Sequence, residues 1–304
     1  MTYRELLKSG EERLKQVNIE DYRTDAWLLL EYVTNMGRSV FFAREKEEAD
    51  EETVKAFRNL LEMRASHVPV QQLTGIAWFY GYPFKVSQHV LIPRQDTETL
   101  VEESLKRIEE TRTKQKGKNE SRQEIRILDL CTGSGCVLLT VLKELEEKQI
   151  PACGKGLDLS EEALNIAREN RQGLGIEEEK AQLLKSDLFS ALGQDERYDI
   201  ITANPPYIRT DVIRKLSPEV RDHEPVLALD GGRDGLDILE KIAEEAPAYL
   251  KSGGWLLMEM GYDQGMAMDA FLRKLCYDQV HVIKDLNGND RVILGRRNEK
   301  CLND

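Results

Sequence analysis

Apolar residues recur at helical spacing through the first part of the chain, with charged residues between them. Such stripes indicate amphipathic helices that pack together through one face. The stripes comprise Leu6, Leu7, Leu14 and Val17; Ala26, Leu29, Leu30 and Val33; and Val54, Phe57 and Leu61. The pattern predicts a small all-helical domain over residues 1–70.

The pattern changes over residues 71–93, where β-forming residues alternate with turn residues such as Gly75 and Gly81. This mixture predicts a β-hairpin linker. Residues 110–124 are almost wholly polar and predict a solvated loop or a frayed helix end. A basic contact patch is the alternative interpretation of that stretch.

From residue 125 onward, apolar runs of strand length alternate with helical stripes. The predicted strands are 125–130, 156–159, 182–185, 198–203, 255–260, 280–285 and 291–295, and the helices are 135–148, 161–171, 236–250 and 264–275. This alternation is typical of an α/β, doubly wound, largely parallel sheet. Asn287-Gly288 predicts a final hairpin that makes one strand antiparallel. The sheet domain is expected over residues 94–304.

Composition narrows the classes of function. The chain has 304 residues and a formal net charge of -12, which disfavours general binding to nucleic acid and favours a protein or small-molecule substrate. Its five cysteines and four histidines form no Cys-x-x-Cys or His-x-x-x-His pair, so we expect reduced thiols and no metal. The sequence also shows no apolar signal or membrane span, and we expect a cytoplasmic protein.

A glycine-rich turn follows the first strand of the sheet, in Asp129-Leu130-Cys131-Thr132-Gly133-Ser134-Gly135. Glycines at a strand-to-helix turn let the backbone approach a ligand closely. Asp158 ends the next strand, where a carboxylate can accept both hydroxyls of a ribose. Together these residues predict a cofactor that contains a nucleoside.

The spacing of the glycines favours one cofactor. A dinucleotide site needs a third glycine where this chain has Leu138, so no pyrophosphate motif is complete. S-adenosylmethionine has no pyrophosphate, and fewer glycines suffice for it. Asp187, or the backbone beside it, is expected to read the adenine edge, with Leu188 and Phe189 as apolar walls. An ordinary strand-end aspartate is the alternative interpretation of Asp187.

The segment Asn204-Pro205-Pro206-Tyr207 follows the predicted strand 198–203. We call these four residues the amide clamp. The Asn204 side-chain oxygen and a proline carbonyl can each accept one N–H of a planar –NH2 group, and Tyr207 can cover its flat face. The alternatives are a tight Pro-Pro turn and, for Tyr207, a cap on the hydrophobic core.

These motifs resemble the release factor glutamine methyltransferase family, also called HemK or PrmC, over nearly the whole chain. The similar segments are Asp25-Ala26, residues 72–75, 79–81, 90–94 and 96–98, the glycine turn, residues 158–160, 186–187 and 204–208, Gly231-Gly232-Arg233-Asp234-Gly235-Leu236 and residues 290–292. The segment 204–207, taken by itself, does not distinguish this family, because nucleic-acid amino methyltransferases share it. Residues 91–94 and 231–236 are more specific to the family.

The resemblance implies a helical N-terminal domain, a hairpin linker and a seven-stranded methyltransferase domain. It implies methyl transfer from S-adenosylmethionine to the glutamine amide nitrogen of the Gly-Gly-Gln motif in peptide chain release factors. Matched residue by residue, Cys131, Thr132, Gly133, Ser134 and Gly135 would line the methionine part of the cofactor, Asp158 would hold the ribose, and Asp187 with Leu188 would flank the adenine. Asn204, Pro205, Pro206 and Tyr207 would grip the substrate amide.

Three positions depart from the family pattern. Cys131 stands where glycine is usual, and its side chain would crowd the cofactor unless its φ is negative. Gln95 replaces a proline, and Trp78 stands at a position that is more often acidic. Two other functions remain open: a methyltransferase acting on an exocyclic amine of DNA or RNA, and a non-catalytic nucleoside-binding adaptor. The acidic composition makes direct sequence-specific nucleic-acid binding unexpected.

Overall fold

The computed structural model describes residues 1–115 and 124–298. These residues form two compact units. One unit comprises residues 1–76 together with residues 217–223, and the other comprises the described residues within 77–216 and 224–298. The sequence boundaries at residues 70 and 93 do not anticipate that residues 217–223 join the helical unit.

The first unit is helical, as the apolar stripes indicate. Its helices are α1 (Tyr3–Gln16), α2 (Tyr22–Thr34), α3 (Arg38–Arg44), α4 (Glu51–Ala65) and α5 (Val70–Thr74). Thr2 and Glu5 form a capping box that satisfies backbone donors at the start of α1. The Asp50 side chain caps α4 by accepting the Thr53 N–H at 2.8 Å. Leu6, Leu14 and Phe57 are fully buried between these helices.

A charged pair also lies inside this unit. The Arg64 guanidinium donates to Asp25 at 2.7 Å and to Glu219 at 2.5 Å. Arg64 and Asp25 are each about 5% exposed. Burial raises the pKa of Asp25, and the hydrogen bond from Arg64 opposes that rise. Since an unpaired buried charge is costly, this pair fixes how α2 and α4 pack.

The second unit begins with the predicted hairpin, β1 (Ile76–Phe79) and β2 (Tyr82–Lys85). Its other elements are α6 (Glu98–Gln115), β3 (Ile125–Leu130), α7 (Cys136–Glu147), β4 (Ala152–Asp158), α8 (Glu161–Gly173), β5 (Ala181–Lys185), β6 (Tyr198–Ala203), α9 (Thr210–Ile213), α11 (Asp237–Glu245), β7 (Leu250–Glu259), α12 (Gly265–Lys274), β8 (Tyr277–Lys284) and β9 (Asp290–Arg297). Helix α10 (Pro218–His223) follows α9 in the chain and belongs to the helical unit.

The seven strands of the large sheet lie in the order β5-β4-β3-β6-β7-β9-β8. Strands β3 to β7 pair in parallel, with Ile127 beside both Gly154 and Ile200. Strand β9 is antiparallel to both of its neighbours. The predicted doubly wound sheet with one antiparallel strand is therefore confirmed.

Helices cover both faces of this sheet. Helices α6, α7 and α8 bury Leu100, Leu138 and Leu164 on one face. Helices α11 and α12 bury Ile242 and Met268 on the other. With both faces covered, the carboxyl ends of the parallel strands provide the open edge where ligands bind in such sheets.

Several elements differ from the sequence expectation. Helix α6 was not predicted, and it makes the first part of the polar stretch helical as far as Gln115, while residues 116–123 lie outside the described residues. The predicted helix 236–250 ends at Glu245 and passes through a 3-10 turn at Pro247, because proline cannot continue an α-helix. Strand β7 then starts at Leu250, earlier than predicted. Within the described part of the chain, no helix has the length and apolar character needed to cross a membrane.

Candidate active site

A cavity of about 230 Å³ opens at the carboxyl ends of β3, β4 and β6. Nine of the predicted site residues line it: Cys131, Thr132, Gly133, Ser134, Asp158, Asp187, Leu188, Asn204 and Pro206. Gly135, Pro205 and Tyr207 do not line it. The parallel sheet thus brings most of the predicted cofactor residues together with half of the amide clamp.

Asp158 connects the glycine turn to the end of β4. One carboxylate oxygen accepts the Gly133 N–H at 2.8 Å, and the other accepts the Ser160 N–H at 2.9 Å. Burial raises the pKa of Asp158, and these backbone hydrogen bonds oppose the rise. Each oxygen retains a further lone pair for a ligand hydroxyl. Asn170 fixes the far side of the turn by donating to the Ser134 carbonyl at 2.9 Å.

The Cys131 side chain was expected to crowd the cofactor unless its φ is negative. A negative φ would have turned its side chain away, but its φ is +54°. This left-handed conformation costs an L-residue about 1–2 kcal/mol and favours glycine. The Cys131 side chain lines the cavity, and burial raises the pKa of its thiol well above the usual range. Cys131 is therefore an uncharged, strained part of the cavity wall.

A second buried carboxylate was missing from the predicted site. Asp129, near the end of β3, lines the cavity and is 1% exposed. It accepts the hydroxyls of Thr132 at 2.6 Å and Thr202 at 2.7 Å. Burial raises the pKa of Asp129 to about 6. The sequence signal was an acidic residue near the end of a largely apolar strand.

The loop after β5 provides another wall. Leu188 lines the cavity in a left-handed conformation with φ +48°, and the Ser186 hydroxyl donates to its carbonyl at 2.6 Å. Asp187 lies nearby, and its exposed carboxylate is 3.5 Å from the Lys241 ammonium. Phe189 was expected to be a second apolar wall, but this expectation is wrong. Phe189 is buried in the core, stacked on Tyr249 with ring centroids 4.8 Å apart.

The amide clamp has one end at the cavity and one end anchored away from it. Asn204 lines the cavity, and its Nδ2 donates to Thr97 Oγ1 at 3.3 Å. Its Oδ1 is therefore the atom turned away from Thr97. The Tyr207 hydroxyl donates to Glu259 at 3.0 Å, and Tyr207 packs against the core below α11 and β7. This is the core-cap position that the sequence left as the alternative for Tyr207.

Residues 231–235 support the clamp from outside. A Cβ on Gly231 would stand 2.7 Å from the Pro206 carbonyl oxygen, and one on Gly235 would overlap the Tyr207 carbonyl. Gly235 also has φ +79°. The Gln264 amide donates to the carbonyls of Tyr207 at 3.0 Å and Gly235 at 3.1 Å, which ties the two loops together. These glycines therefore allow two backbones to lie in contact.

Other parts of the wall come from residues for which the sequence predicted no role. They are His89, Val90, Leu91, Pro93, Arg94 and Thr97 before α6, and Pro225, Leu227, Ala228 and Ile238 before and at the start of α11. Arg94 pairs with the buried Glu224 at 2.5 Å. The Leu-Ile-Pro-Arg segment, residues 91–94, was the sequence motif that pointed to the first group. No sequence motif pointed to the second group.

The lining suits S-adenosylmethionine. Asp129, Asp158 and Asp187 provide three carboxylates, whereas Arg94 is the one arginine or lysine in the lining. Such an acidic cavity fits a ligand with sulfonium and ammonium charges and disfavours a pyrophosphate. Apolar residues such as Val90 and Leu157 suit an adenine ring. Among the described residues, no group of three or more His, Cys, Asp or Glu side chains is arranged to hold a metal ion.

Comparison with known proteins agrees with this geometry. A family model described as the PrmC N-terminal domain matches residues 5–75, and a methyltransferase domain model matches residues 121–294. A release factor glutamine methyltransferase from Caulobacter vibrioides is 39% identical over 95% of this chain and 94% of its own length. The chain belongs to the release factor glutamine methyltransferase family.

Other relatives cover the chain equally fully. A release factor glutamine methyltransferase from Clostridium acetobutylicum is 34% identical over 93% of this chain and 94% of its own length. Among solved structures, a methyltransferase from Pyrococcus furiosus is 17% identical, with a TM-score of 0.49, over 72% of this chain and 91% of that one. The two release factor glutamine methyltransferases, which match both the helical and the sheet regions, confirm the predicted family membership.

Proposed function

We propose that this chain transfers a methyl group from S-adenosylmethionine to the side-chain amide nitrogen, N5, of the glutamine in the Gly-Gly-Gln motif of peptide chain release factors. Near full-length similarity to release factor glutamine methyltransferases supports this function. The observation that carries it is Asn204, whose amide oxygen faces away from Thr97 at the wall of an acidic cofactor cavity. We place this reaction in the cytoplasm, where release factors act.

Two buried carboxylates would divide the polar groups of the cofactor between them. Asp158 would accept the ribose hydroxyls, and Asp129 with residues 131–135 would hold the amino-acid part. Asp187 and Leu188 would flank the adenine. When bound there, S-adenosylmethionine supplies an electrophilic methyl group on a positively charged sulfur. The acidic lining would favour binding of this positively charged cofactor.

The amide clamp would act on the nucleophile. An amide nitrogen is weakly nucleophilic because its lone pair is delocalised into the carbonyl. Asn204 Oδ1 and the carbonyl of Pro205, a residue next to the cofactor cavity that does not line it, would each accept one amide N–H, which orients the nitrogen and raises its electron density. Positioning of this kind supplies up to about 7–11 kcal/mol in model systems. Pro206 lines the cavity beside Asn204.

The nitrogen–carbon bond would form as the sulfur–carbon bond breaks, and one amide proton would pass to solvent. Tyr207 would hold the clamp in place through its hydroxyl contact with Glu259 rather than through the cavity wall. This role differs from the face-covering role expected from the sequence. Asn204 Oδ1 and the Pro205 carbonyl are then the groups that would touch the substrate.

We also propose a division of labour along the chain. Residues 1–70 would recognise the release factor, residues 71–93 would form the linker, and residues 94–304 would carry the chemistry. The match of residues 5–75 to the PrmC N-terminal domain supports a dedicated role for the helical region.

The test is incubation of the purified chain with S-adenosylmethionine and purified release factors, followed by mass spectrometry of the peptide that contains Gly-Gly-Gln. We expect a mass increase of one methyl group on the glutamine. A release factor whose motif reads Gly-Gly-Ala is the control and should stay unmodified at that position. Methylation of nucleic acid without methylation of the release factor would contradict the proposal.

A further inference from the structure

A second, open hollow lies beside the amide clamp, and no step of the proposed reaction uses it. It has a volume of about 730 Å³ and is lined by Arg209, Thr210, Asp211, Arg214 and Arg233. We call it the arginine pocket. Its Arg233 belongs to the Gly-Gly-Arg-Asp-Gly-Leu segment, in which the proposed reaction gives that side chain no role. The local excess of positive charge contrasts with the formal net charge of -12 of the whole chain.

The charges inside the arginine pocket are not balanced. Asp211 accepts two hydrogen bonds from the Arg209 guanidinium, at 3.1 and 3.2 Å, and so neutralises that arginine. Arg214 and Arg233 are exposed, and their side chains form no ion pair or hydrogen bond with any residue that the structure describes. The lining therefore carries two unpaired positive charges, which repel each other until an anion binds.

Three other carboxylates lie near the arginine pocket but outside its lining. Asp230 accepts the Thr210 hydroxyl at 2.6 Å and a backbone N–H at 3.0 Å. Asp234 accepts a backbone N–H at 3.2 Å, and Asp263 contributes from a distance to the raised pKa of Arg209. These aspartates weaken the field of the arginines, but they leave the guanidinium donors inside the pocket available for a ligand.

The backbone holds the arginine pocket close to the clamp. Arg209 follows Pro206 by three residues, so their Cα atoms are at most about 11 Å apart, and Pro206 lines the cofactor cavity. The Thr210 N–H donates to the Gly232 carbonyl at 2.9 Å, which holds the segment after Arg209 beside the segment before Arg233. A protein whose glutamine reaches the clamp therefore passes close to the pocket.

We propose that the arginine pocket binds an acidic side chain of the release factor near its Gly-Gly-Gln motif, and that Arg214 and Arg233 are the specificity-determining residues that hold the carboxylate. A guanidinium presents a planar fork of donors that matches both oxygens of a carboxylate. A protein carboxylate suits the pocket better than the phosphates of a nucleic acid, because the net charge of -12 repels a polyanion. This proposal rests on the proposed function, since the release factor is the protein that the clamp would hold.

The first test measures the steady-state kinetics of release-factor methylation by the double variant Arg214→Gln/Arg233→Gln. We expect KM for the release factor to rise at least about tenfold, the scale of lost hydrogen bonds to a charged group, with kcat and the cofactor Kd within about twofold of wild type. Asp211→Asn makes the pocket more positive and should lower the same KM, by up to about threefold.

Arg273→Gln is the matched control for the loss of a surface charge. Arg273 lies on α12, is exposed, pairs with Asp269 and does not line the arginine pocket. Its KM for the release factor should stay within about twofold of wild type. Thermal unfolding of each variant confirms that folded protein is compared.

A second test identifies the carboxylate that the pocket holds. Each Asp and Glu in the release-factor domain that carries Gly-Gly-Gln is replaced in turn by Asn or Gln. One replacement should raise KM about tenfold with the wild-type chain and by less than about twofold with Arg214→Gln/Arg233→Gln, because the two changes remove the same contact.

An unchanged KM for the double variant, an equal rise for Arg273→Gln, or independent losses for every release-factor replacement would overturn the proposal. Loss of binding to an RNA oligonucleotide by the double variant, without coupling to any acidic residue of the release factor, would assign the pocket to phosphates and overturn it as well. Absence of release-factor methylation by the wild-type chain would instead reject the proposed function, and with it this occupant of the pocket.

Discussion

The Asn204 side-chain nitrogen lies 3.3 Å from the hydroxyl oxygen of Thr97. The two residues are far apart in sequence, and they meet because the 3-10 turn before α6 packs against the end of β6. This contact determines which atom of the Asn204 amide is left for a ligand. The proposed reaction depends on that atom being the oxygen.

Asn204→Ala removes one acceptor from the clamp without touching the residues proposed to hold the cofactor's ribose and amino-acid part. We expect methylation of the release factor to fall at least about a hundredfold, the scale of losing one transition-state contact. Cofactor binding, measured by calorimetry, should stay within about tenfold of wild type. Unchanged turnover would show that Asn204 does not hold the reacting amide.

Asp129 should make folding stability depend on pH. Burial raises its pKa from 3.8 to about 6, so the folded protein takes up this proton more readily than the unfolded chain does. The stabilisation of the folded protein by this proton is fully present below about pH 4 and is lost as pH rises through about 6. At about 1.4 kcal/mol per pKa unit, it amounts to at most about 3 kcal/mol.

Asp129→Asn isolates this contribution, because asparagine can still bond both threonine hydroxyls. The free energy of unfolding of wild type minus that of the variant should rise as pH falls from 7 to 4, in urea titrations without cofactor. A difference that is flat over this range would mean that Asp129 keeps an ordinary pKa.

Gly235→Ala tests the contact between residues 231–235 and the clamp. A Cβ at Gly235 would overlap the Tyr207 carbonyl and strain a backbone with φ +79°. We expect a loss of more than about tenfold in kcat, because the clamp must move. Gly288→Ala is the matched control, since Gly288 has φ +83° and no atom within 4 Å of the added Cβ. Equal effects of the two substitutions on kcat would attribute the loss to backbone strain alone.

Cys131→Gly relieves the left-handed strain at the cavity wall. The gain of about 1–2 kcal/mol is offset by about 0.5–1 kcal/mol of added chain entropy in the unfolded state, so stability should change by less than about 1.5 kcal/mol. Cys131→Val should weaken cofactor binding, because a β-branched side chain suits positive φ poorly. Tighter cofactor binding by the valine variant than by the glycine variant would contradict this account of Cys131.

The sheet could be predicted from the sequence because its signals are local. Apolar runs mark the buried parallel strands, and Asn287-Gly288 marks the final hairpin. Helix α6 was missed because charged residues interrupt its apolar stripe in the sequence. Two of them, Glu103 and Arg107, are largely buried in the structure and pair with each other at 2.9 Å.

The cofactor turn was predictable for the same reason, since glycines and strand-end aspartates lie close together in sequence. Asp129, Thr97 and Glu259 were not assigned a role, because each depends on a partner from a distant strand or turn. Asp129 is stabilised by Thr202, and Glu259 by Tyr207. Sequence spacing does not show whether a buried charge meets such partners.

The most direct test is a crystal structure of the chain with S-adenosylhomocysteine and a Gly-Gly-Gln peptide. The account predicts that the glutamine amide nitrogen lies about 2.7–3.2 Å from both Asn204 Oδ1 and the Pro205 carbonyl oxygen, with the remaining face of the nitrogen towards the sulfur. A glutamine bound in the cavity with its nitrogen in contact with neither oxygen would contradict the account.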